Sequence, residues 1–352
     1  MNTRALVAAS AFVVLFAAPL ITAAPVMTYI YHPPESALDV RYVYHWEILR
    51  TALEKTKATW GPYRLVASKE LMPEARQRYE IEHATGKITV MYLSTIPEFE
   101  RELIPVRIPV DKNLGGYCVF LIRKADMQRF ANVKSLDDLR RFTFGLGLGW
   151  VDVDILKASG LKVVTGSSYD GLFEMLVHKR FDIFLRAATE VLDEYDQRKT
   201  KLNDLAIEDH ILFYYPLPMY FWFPKNAEGR RLAARAEEGM RMMIADGTYD
   251  AIFDKYQRHK IERLHLKDRR IIRISNPFVG PETPFSDKRL WFDPQTYKPL
   301  SGPSPRSRGE SARSADEGRP LTRPSATLSL GGERVLASGS PASSARRHHS
   351  PR

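Results

Sequence analysis

The residues of this chain best suited to chemistry are polar side chains gathered where strand-like runs end. Residues 87–93 read as a strand, and Ser94, Thr95 and then Arg101 follow it. Hydroxyls at a strand end can donate to an anion, and a guanidinium can hold two carboxylate oxygens in one plane. The same residues also read as ordinary turn formers and as a surface ion pair of Arg101 with Glu98 or Glu102. Tyr31 ends the first strand-like run, residues 26–31, and Glu35, Asp39, Arg41 and Tyr44 crowd the loop after it. They suit ligand contact or the capping of the next helix. Gly145-Leu146-Gly147-Leu148-Gly149-Trp150 leads into a third candidate. Amides at a helix start attract anions and glycine permits close approach, while Trp150 serves as a stacking surface or as core filler. Thr165, Ser167 and Ser168 stand at the next strand-to-helix turn, to cap or to bind.

Spacings specific to covalent or metal catalysis are missing from the sequence. There is no GxSxG and no Cys–His arrangement, and the nine histidines show neither HxxxH nor HExxH. Cys118 is the single cysteine, so no internal disulfide forms and thiolate metal sites are excluded. No metal or cofactor is expected. The glycine run lacks the acidic partner about 20 residues on that a dinucleotide fold uses. Glu35 with His32 or Glu190 could form an acid–base pair, which keeps an enzyme reading open.

The formal charge of +10 resembles a nucleic-acid signal until it is divided along the chain. Residues 301–352 carry nine Arg and four acidic residues, and Arg4 belongs to the N-terminal leader, so the remainder holds about +4. Nucleic acid is therefore not an expected partner.

The elements that must position these groups alternate in type. Helical spacing of Val43, Trp46, Ile48, Leu49, Ala52 and Leu53 predicts a helix over 42–57. A strand over 63–67, a helix over 70–83 and the 87–93 strand follow. After Asn113-Leu114-Gly115-Gly116 the alternation resumes. Strands are predicted at 117–123, 142–146, 162–165 and 181–186, helices at 135–139, 152–159 and 169–178. Strand character returns at 211–215 and 219–224, then helices over 230–245 and 248–259 break at Asp246-Gly247. This βαβ alternation predicts parallel sheets covered by helices.

The termini differ from this middle. Residues 1–23 have the short basic start, apolar run and small residues of a cleavable secretory signal, which implies a periplasmic protein. Residues 301–352 are rich in Ser, Pro, Gly and Arg and are expected to be a disordered low-complexity tail, a read-through product or a basic arm.

Four segments, in order, resemble the family-3 extracellular solute-binding proteins, the periplasmic components of polar amino-acid ABC importers. They are VKSLDDL (133–139), GLFEMLVHKRFD (171–182), Phe223-Pro224-Lys225 and MRMMIADGTYDAIFDKY (240–256). His178-Lys179 stands where the family usually has Gly before its Arg. The resemblance implies an α/β two-lobed periplasmic binding protein type II fold, with mixed sheets flanked by helices and lobes joined by two hinge strands. Lobe 1 would take residues 24–112 and 219–300, the latter ending in a C-terminal wrap, and lobe 2 residues 113–218. It also implies that Arg101, or else Arg107, grips a ligand carboxylate, that Ser94 and Thr95 assist, and that Tyr31 stacks on the ligand. The family's ammonium-binding Asp falls on Ala187, with Arg186 beside it. Two opposed guanidinium forks, Arg101 and Arg186, would then favour a dianion. The implied function is binding, not catalysis: a monomer captures a small solute, an amino acid or a carboxylate, for an ABC permease. The alternatives are a sensing protein for a membrane receptor and a periplasmic dehydratase-like enzyme on the same fold.

Overall fold

A computed structural model describes residues 26–33, 42–72 and 74–300. The signal and tail expectations, and Glu35, Asp39 and Arg41, lie outside these residues. Lobe 1 begins with β1 (Met27–Tyr31), α1 (Val43–Lys55), α2 (Lys57–Trp60), β2 (Tyr63–Ala67), α3 (Glu74–Glu82), β3 (Met91–Ser94), α4 (Pro97–Glu102) and β4 (Leu103–Val106). Lobe 2 follows with β5 (Tyr117–Arg123), α5 (Met127–Phe130), α6 (Leu136–Leu139), β6 (Thr143–Gly147), α7 (Val151–Ala158) and β7 (Lys162–Gly166). It continues with α8 (Tyr169–Val177), β8 (Ile183–Ala187), α9 (Val191–Arg198), β9 (Leu205–Ile207) and β10 (Ile211–Tyr214). The chain then re-enters lobe 1 as β11 (Met219–Pro224), α10 (Ala227–Ala245) and α11 (Thr248–Arg263), before β12 (Arg270–Arg273).

The sheets are mixed rather than purely parallel. β1 and β2 run parallel, while β11 is antiparallel to both β3 and β4. The amides of Thr89 and Val90 donate to the Ile30 carbonyl, which ties the lead-in of β3 to β1. In lobe 2, β5 is buried over all seven residues and lies antiparallel to β8, β9 and β10, with β6 parallel to β7 and β8. In lobe 1 the antiparallel pairing follows from the returning chain, because β11 runs back between β3 and β4.

Helix packing carries the rest of lobe 1. The apolar face of α1 buries Trp46, Ile48, Leu49, Ala52 and Leu53, much as its spacing predicts. α10 crosses it at Gly239, where a Cβ would come within 2.1 Å of the Ala52 carbonyl oxygen. Arg235, fully buried on α10, donates to the Leu53 and Gly61 carbonyls at 3.2 and 2.7 Å and to Thr56 Oγ1 at 3.1 Å. It thereby satisfies carbonyls that the ends of α1 and α2 leave without helical partners. Gly247, at φ +79°, separates α10 from α11 as the Asp246-Gly247 pair predicts. Among the described residues no helix is long and apolar enough to cross a membrane.

Two strands of chain join the lobes, through residues 107–116 and 215–218. The Val110 amide donates to the Met219 carbonyl and the Tyr215 amide to the Gly116 carbonyl, at 2.9 and 3.1 Å. A third connection was not foreseen. Residues 219–300 do not stay with lobe 1, because β12 leaves α11 and pairs in parallel with β10 at the open edge of the lobe 2 sheet. The alternation of Arg270-Ile271-Ile272-Arg273 suits a half-buried edge strand, yet nothing local to it names β10 as its partner.

Candidate functional site

A cavity of about 160 Å3 lies between the two lobes. That compares with the roughly 150 Å3 that accepts a benzene-sized guest. On the lobe 1 side it is walled by Tyr42 and His45 from α1 and its lead-in, Arg78 from α3, and Tyr92, Leu93 and Ser94 from β3. On the lobe 2 side stand Cys118 of β5, Leu146 of β6, Trp150–Asp152 at the head of α7, and Leu185–Ala187 of β8, with Thr189 and Glu190 beyond. Gly115, Tyr215, Leu217 and Met219 close it along the hinge.

The lobe 2 wall is an ionic lattice. Arg186 is buried and gives Nε to Glu194 Oε2 at 2.7 Å and Nη2 to Glu194 Oε1 and Glu190 Oε2 at 2.5 and 2.6 Å. The rings of Trp150, Phe184 and Tyr169 surround the guanidinium at 5.0, 5.1 and 5.8 Å. Tyr169 in turn donates to Glu194 Oε1 at 2.5 Å. Burial works against the charge of Arg186, but the carboxylates of Glu194 and Glu190 outweigh it and raise its pKa. The cation is therefore permanent and already neutralised by protein groups.

Beside it runs a chain of hydrogen bonds. The Cys118 thiol donates to the Tyr215 hydroxyl oxygen at 3.6 Å, and that hydroxyl donates to Asp152 Oδ1. Burial raises the pKa of Asp152, while the Tyr215 hydroxyl and Arg186 act the other way. Burial, reinforced by Asp152, also pushes the Cys118 thiol up, which leaves it unreactive as a nucleophile.

The lobe 1 wall is built from rings. His45 stacks on Tyr92 with centroids 3.7 Å apart, and its Nδ1 is buried without a hydrogen-bond partner. Burial, then Lys260 and His32, lowers its pKa to about 3, so the imidazole is neutral near pH 7. Arg78 lies over the Phe99 ring at 5.1 Å. At the hinge, Asp111 accepts from the amides of Asn113 and Gly115 at 3.0 and 2.8 Å, and burial raises it to about 6.

Of the residues singled out from sequence, Ser94, Trp150, Arg186 and Glu190 line this cavity. Arg101 does not. Its side chain is 61% exposed and pairs with Glu98 at 3.4 Å, the surface-pair reading. Thr95 is buried outside the cavity wall and donates to Glu100 Oε1 at 2.8 Å. Glu100 also holds Arg107 through bonds of 2.9 and 2.7 Å, so this trio braces the α4–β4 corner. Tyr31 packs on Trp46 at 4.6 Å, outside the lining. Thr165 and Ser167 are exposed, and neighbouring Ser168 caps α8 by accepting from the Gly171 amide at 3.2 Å. The opposed forks of Arg101 and Arg186 are not formed, because one is on the surface and the other is spent on two glutamates.

The glycine run has a packing explanation. A Cβ on Gly145 would sit 2.2 Å from the Phe181 ring, and one on Gly147 would sit 2.3 Å from Trp150. These glycines seat aromatic rings. Sequence reasoning missed His45, Arg78, Tyr92, Cys118, Asp152 and Tyr215 as cavity residues. The one available signal was Asp152, two residues beyond Trp150 in the first turn of α7. Glu208, Asp209 and His210 bring three ligand-type atoms within 4.8 Å of one another. The Glu208 carboxylate there is already occupied by the amides of His210 and Ile211 at 2.9 and 2.8 Å.

No protein-family model matches the chain, and no curated protein matches it. Solved structures similar to it include an ancestral arginine-binding protein bound to arginine, at 18% identity, covering 65% of this chain and 98% of that one, with a TM-score of 0.48. A Salmonella typhimurium periplasmic binding protein with high arginine specificity is 13% identical over 66% of this chain and all of that one (100%), TM-score 0.48. A histidine kinase sensor domain with similarity to periplasmic binding proteins is 16% identical over 66% and 95%, TM-score 0.44. The cavity, not these likenesses, carries the functional reading.

Proposed function

We propose that this protein is a periplasmic solute-binding clamp that captures a small zwitterionic or anionic solute, an amino acid or a carboxylate, by closing its lobes, and hands it to an ABC permease. The observation that carries this reading is a half-open cavity to which both lobes contribute walls. Clefts of this kind bind by hinge closure, since contacts from both sides stabilise the closed form. The charges suit a zwitterion. Arg78 and Ser94 on lobe 1 can receive a carboxylate, while Asp152 and Glu190 on lobe 2 can receive a cation. Cys118 in the wall is held as a thiol by its burial, which disfavours nucleophilic chemistry there.

Thermal unfolding of the full chain against a panel of L-arginine, other amino acids, dicarboxylates and monocarboxylates tests it. A ligand at a hundredfold excess over its Kd stabilises by about 2.7 kcal/mol, which for a folded part of this size raises Tm by roughly 4–5 °C. A shift confined to one class, and lost in Arg78→Ala, supports the reading and names the chemistry. Absence of any shift across the panel overturns it.

A further inference from the structure

We infer that residues 264–300 are a hinge strap: the segment is zipped to lobe 2 at one end, anchored to lobe 1 at the other, and bonded to both hinge strands between, so the lobes open only as far as the strap releases them. This deepens the clamp reading above, because it sets the motion by which such a clamp would work.

The strap leaves α11 at Leu264 and is first fixed by Arg269. That buried guanidinium donates to the Leu264 carbonyl at 2.6 Å and to the Glu208 and Ile211 carbonyls at 2.6 and 3.1 Å. β12 then runs along β10 from Arg270 beside Ile211 to Arg273 beside Tyr214, and the Ile274 amide extends the ladder to the Tyr214 carbonyl at 2.9 Å. The next contact is with the second hinge strand, where Asn276 Nδ2 donates to the Pro216 carbonyl at 2.8 Å. After a turn closed by Phe285 stacked on Trp291 at 4.8 Å, the strap meets the first hinge strand. There the Phe292 amide donates to the Lys112 carbonyl at 2.7 Å, and the Tyr117 hydroxyl donates to the Phe292 carbonyl at 3.2 Å. It ends back on lobe 1. Asp254 of α11 accepts from the Tyr297 hydroxyl and the Leu300 amide, each at 2.5 Å.

The point of attachment matters as much as the number of bonds. Lys112 and Asn113 are consecutive non-glycine residues in the left-handed region, at φ 53° and 58°. Such residues persist only where the surroundings hold them. Here Asp111 accepts from the amide of Asn113, Asn113 Oδ1 accepts from the Leu217 amide at 2.7 Å, and the strap takes up the Lys112 carbonyl. Hinge closure is absorbed by changes in φ and ψ at a few such residues. A strap bonded to that turn and to Pro216 opposes those changes in both strands at once. The strap therefore holds the empty protein near the one inter-lobe arrangement in which these bonds form and makes ligand exchange slow.

Paired spin labels on Lys157→Cys of α7 and Glu228→Cys of α10, both exposed positions on opposite lobes, report the inter-lobe distance without any ligand. The full chain is expected to give one narrow distance distribution. Asn276→Ala should broaden it toward longer distances, and Asn276→Ala with Phe292→Ala should add a second, longer population. Asn276→Ala alone removes two hydrogen bonds, the one given to the Pro216 carbonyl and the one accepted from the Phe278 amide at 2.9 Å. It takes no apolar side chain from the core, so it remains informative where the double variant fails to fold. A broad or two-population distribution in the unaltered chain overturns the strap, as does a distribution unchanged by Asn276→Ala in the folded protein. Because the labels read the unliganded protein, a failed solute panel leaves this result standing on its own.

Discussion

The two walls of the cavity face each other and are built on opposite principles. On lobe 2, Arg186 is locked by Glu194 and Glu190 and sandwiched among rings, so its geometry is set by the protein's own groups. On lobe 1, the neutral His45 ring stacks on Tyr92 with a buried Nδ1 that has no partner. A satisfied buried ion pair adds rigidity and costs dearly when one member is removed, whereas an unsatisfied polar atom is already a cost and gains when it finds a partner. The difference teaches that one lobe is a finished template, while the other holds the polar atoms whose bonding can still improve.

Three substitutions break or sharpen that contrast. The largest effect is expected from Glu194→Ala, which strands much of the Arg186 charge in a buried site. Breaking such a pair costs about 3–5 kcal/mol, read as a lower midpoint in urea unfolding. A loss under 1 kcal/mol would mean that the lattice is not what fixes the lobe 2 wall.

His45→Phe comes next, with the opposite sign. It keeps the stack on Tyr92 while removing the orphaned nitrogen, and stability at pH 7 is expected to rise by about 1 kcal/mol. It also changes the response to acid. The folded pKa of His45, about 3, lies below that of the unfolded residue, so the unfolded chain takes up its proton first as pH falls. Its contribution is therefore complete above the ordinary histidine range, about 6.5, and is lost progressively toward pH 3. Asp111, raised to about 6, acts oppositely, because the folded state binds its proton first between about pH 6 and the ordinary carboxylate range. Comparing urea unfolding of the two proteins from pH 7 to pH 4 cancels Asp111 and isolates His45. The variant should lose less stability than the parent over that span. Parallel pH curves would show that the imidazole has a partner, and the contrast between the walls would disappear.

The smallest effect is expected from Arg101→Ala. An exposed pair at 3.4 Å contributes within about 0.5 kcal/mol, and solute affinity should be unchanged while Arg78→Ala abolishes it. A Kd raised tenfold or more in Arg101→Ala would return the anion clamp to the α4 corner.

The strand-end residues show how far the chain could be read in advance. Trp150, open from sequence between a stacking surface and core filler, and Arg186 both line the cavity, and each terminates or follows a strand whose type is set by local pattern. Arg101 follows a strand equally well, but α4 turns it outward, and that turn is decided by Glu100 holding Thr95 and Arg107. Pattern distinguishes the end of a strand from its middle, but not the direction of a side chain beyond it. The glycine run reads from sequence as an anion cradle, and its role in packing emerges only from the rings of Phe181 and Trp150 that lie against it.

By itself, the amino-acid sequence determined the alternation of helices and strands, the break at Asp246-Gly247, the capping box of Ser135 with Asp138 and the apolar face of α1. These rest on backbone preferences and on periodicities of two and of about 3.6 residues, which act over a few neighbours. Only the tertiary structure decided that β12 would cross to lobe 2, that Asp254 would bind Tyr297 across 43 positions, and that His45, Arg78, Asp152 and Tyr215 would share one cavity. The physical reason is that sheet edges, hinge turns and cavity walls are completed by partners distant in the chain, and backbone preference carries no information about which distant partner will arrive.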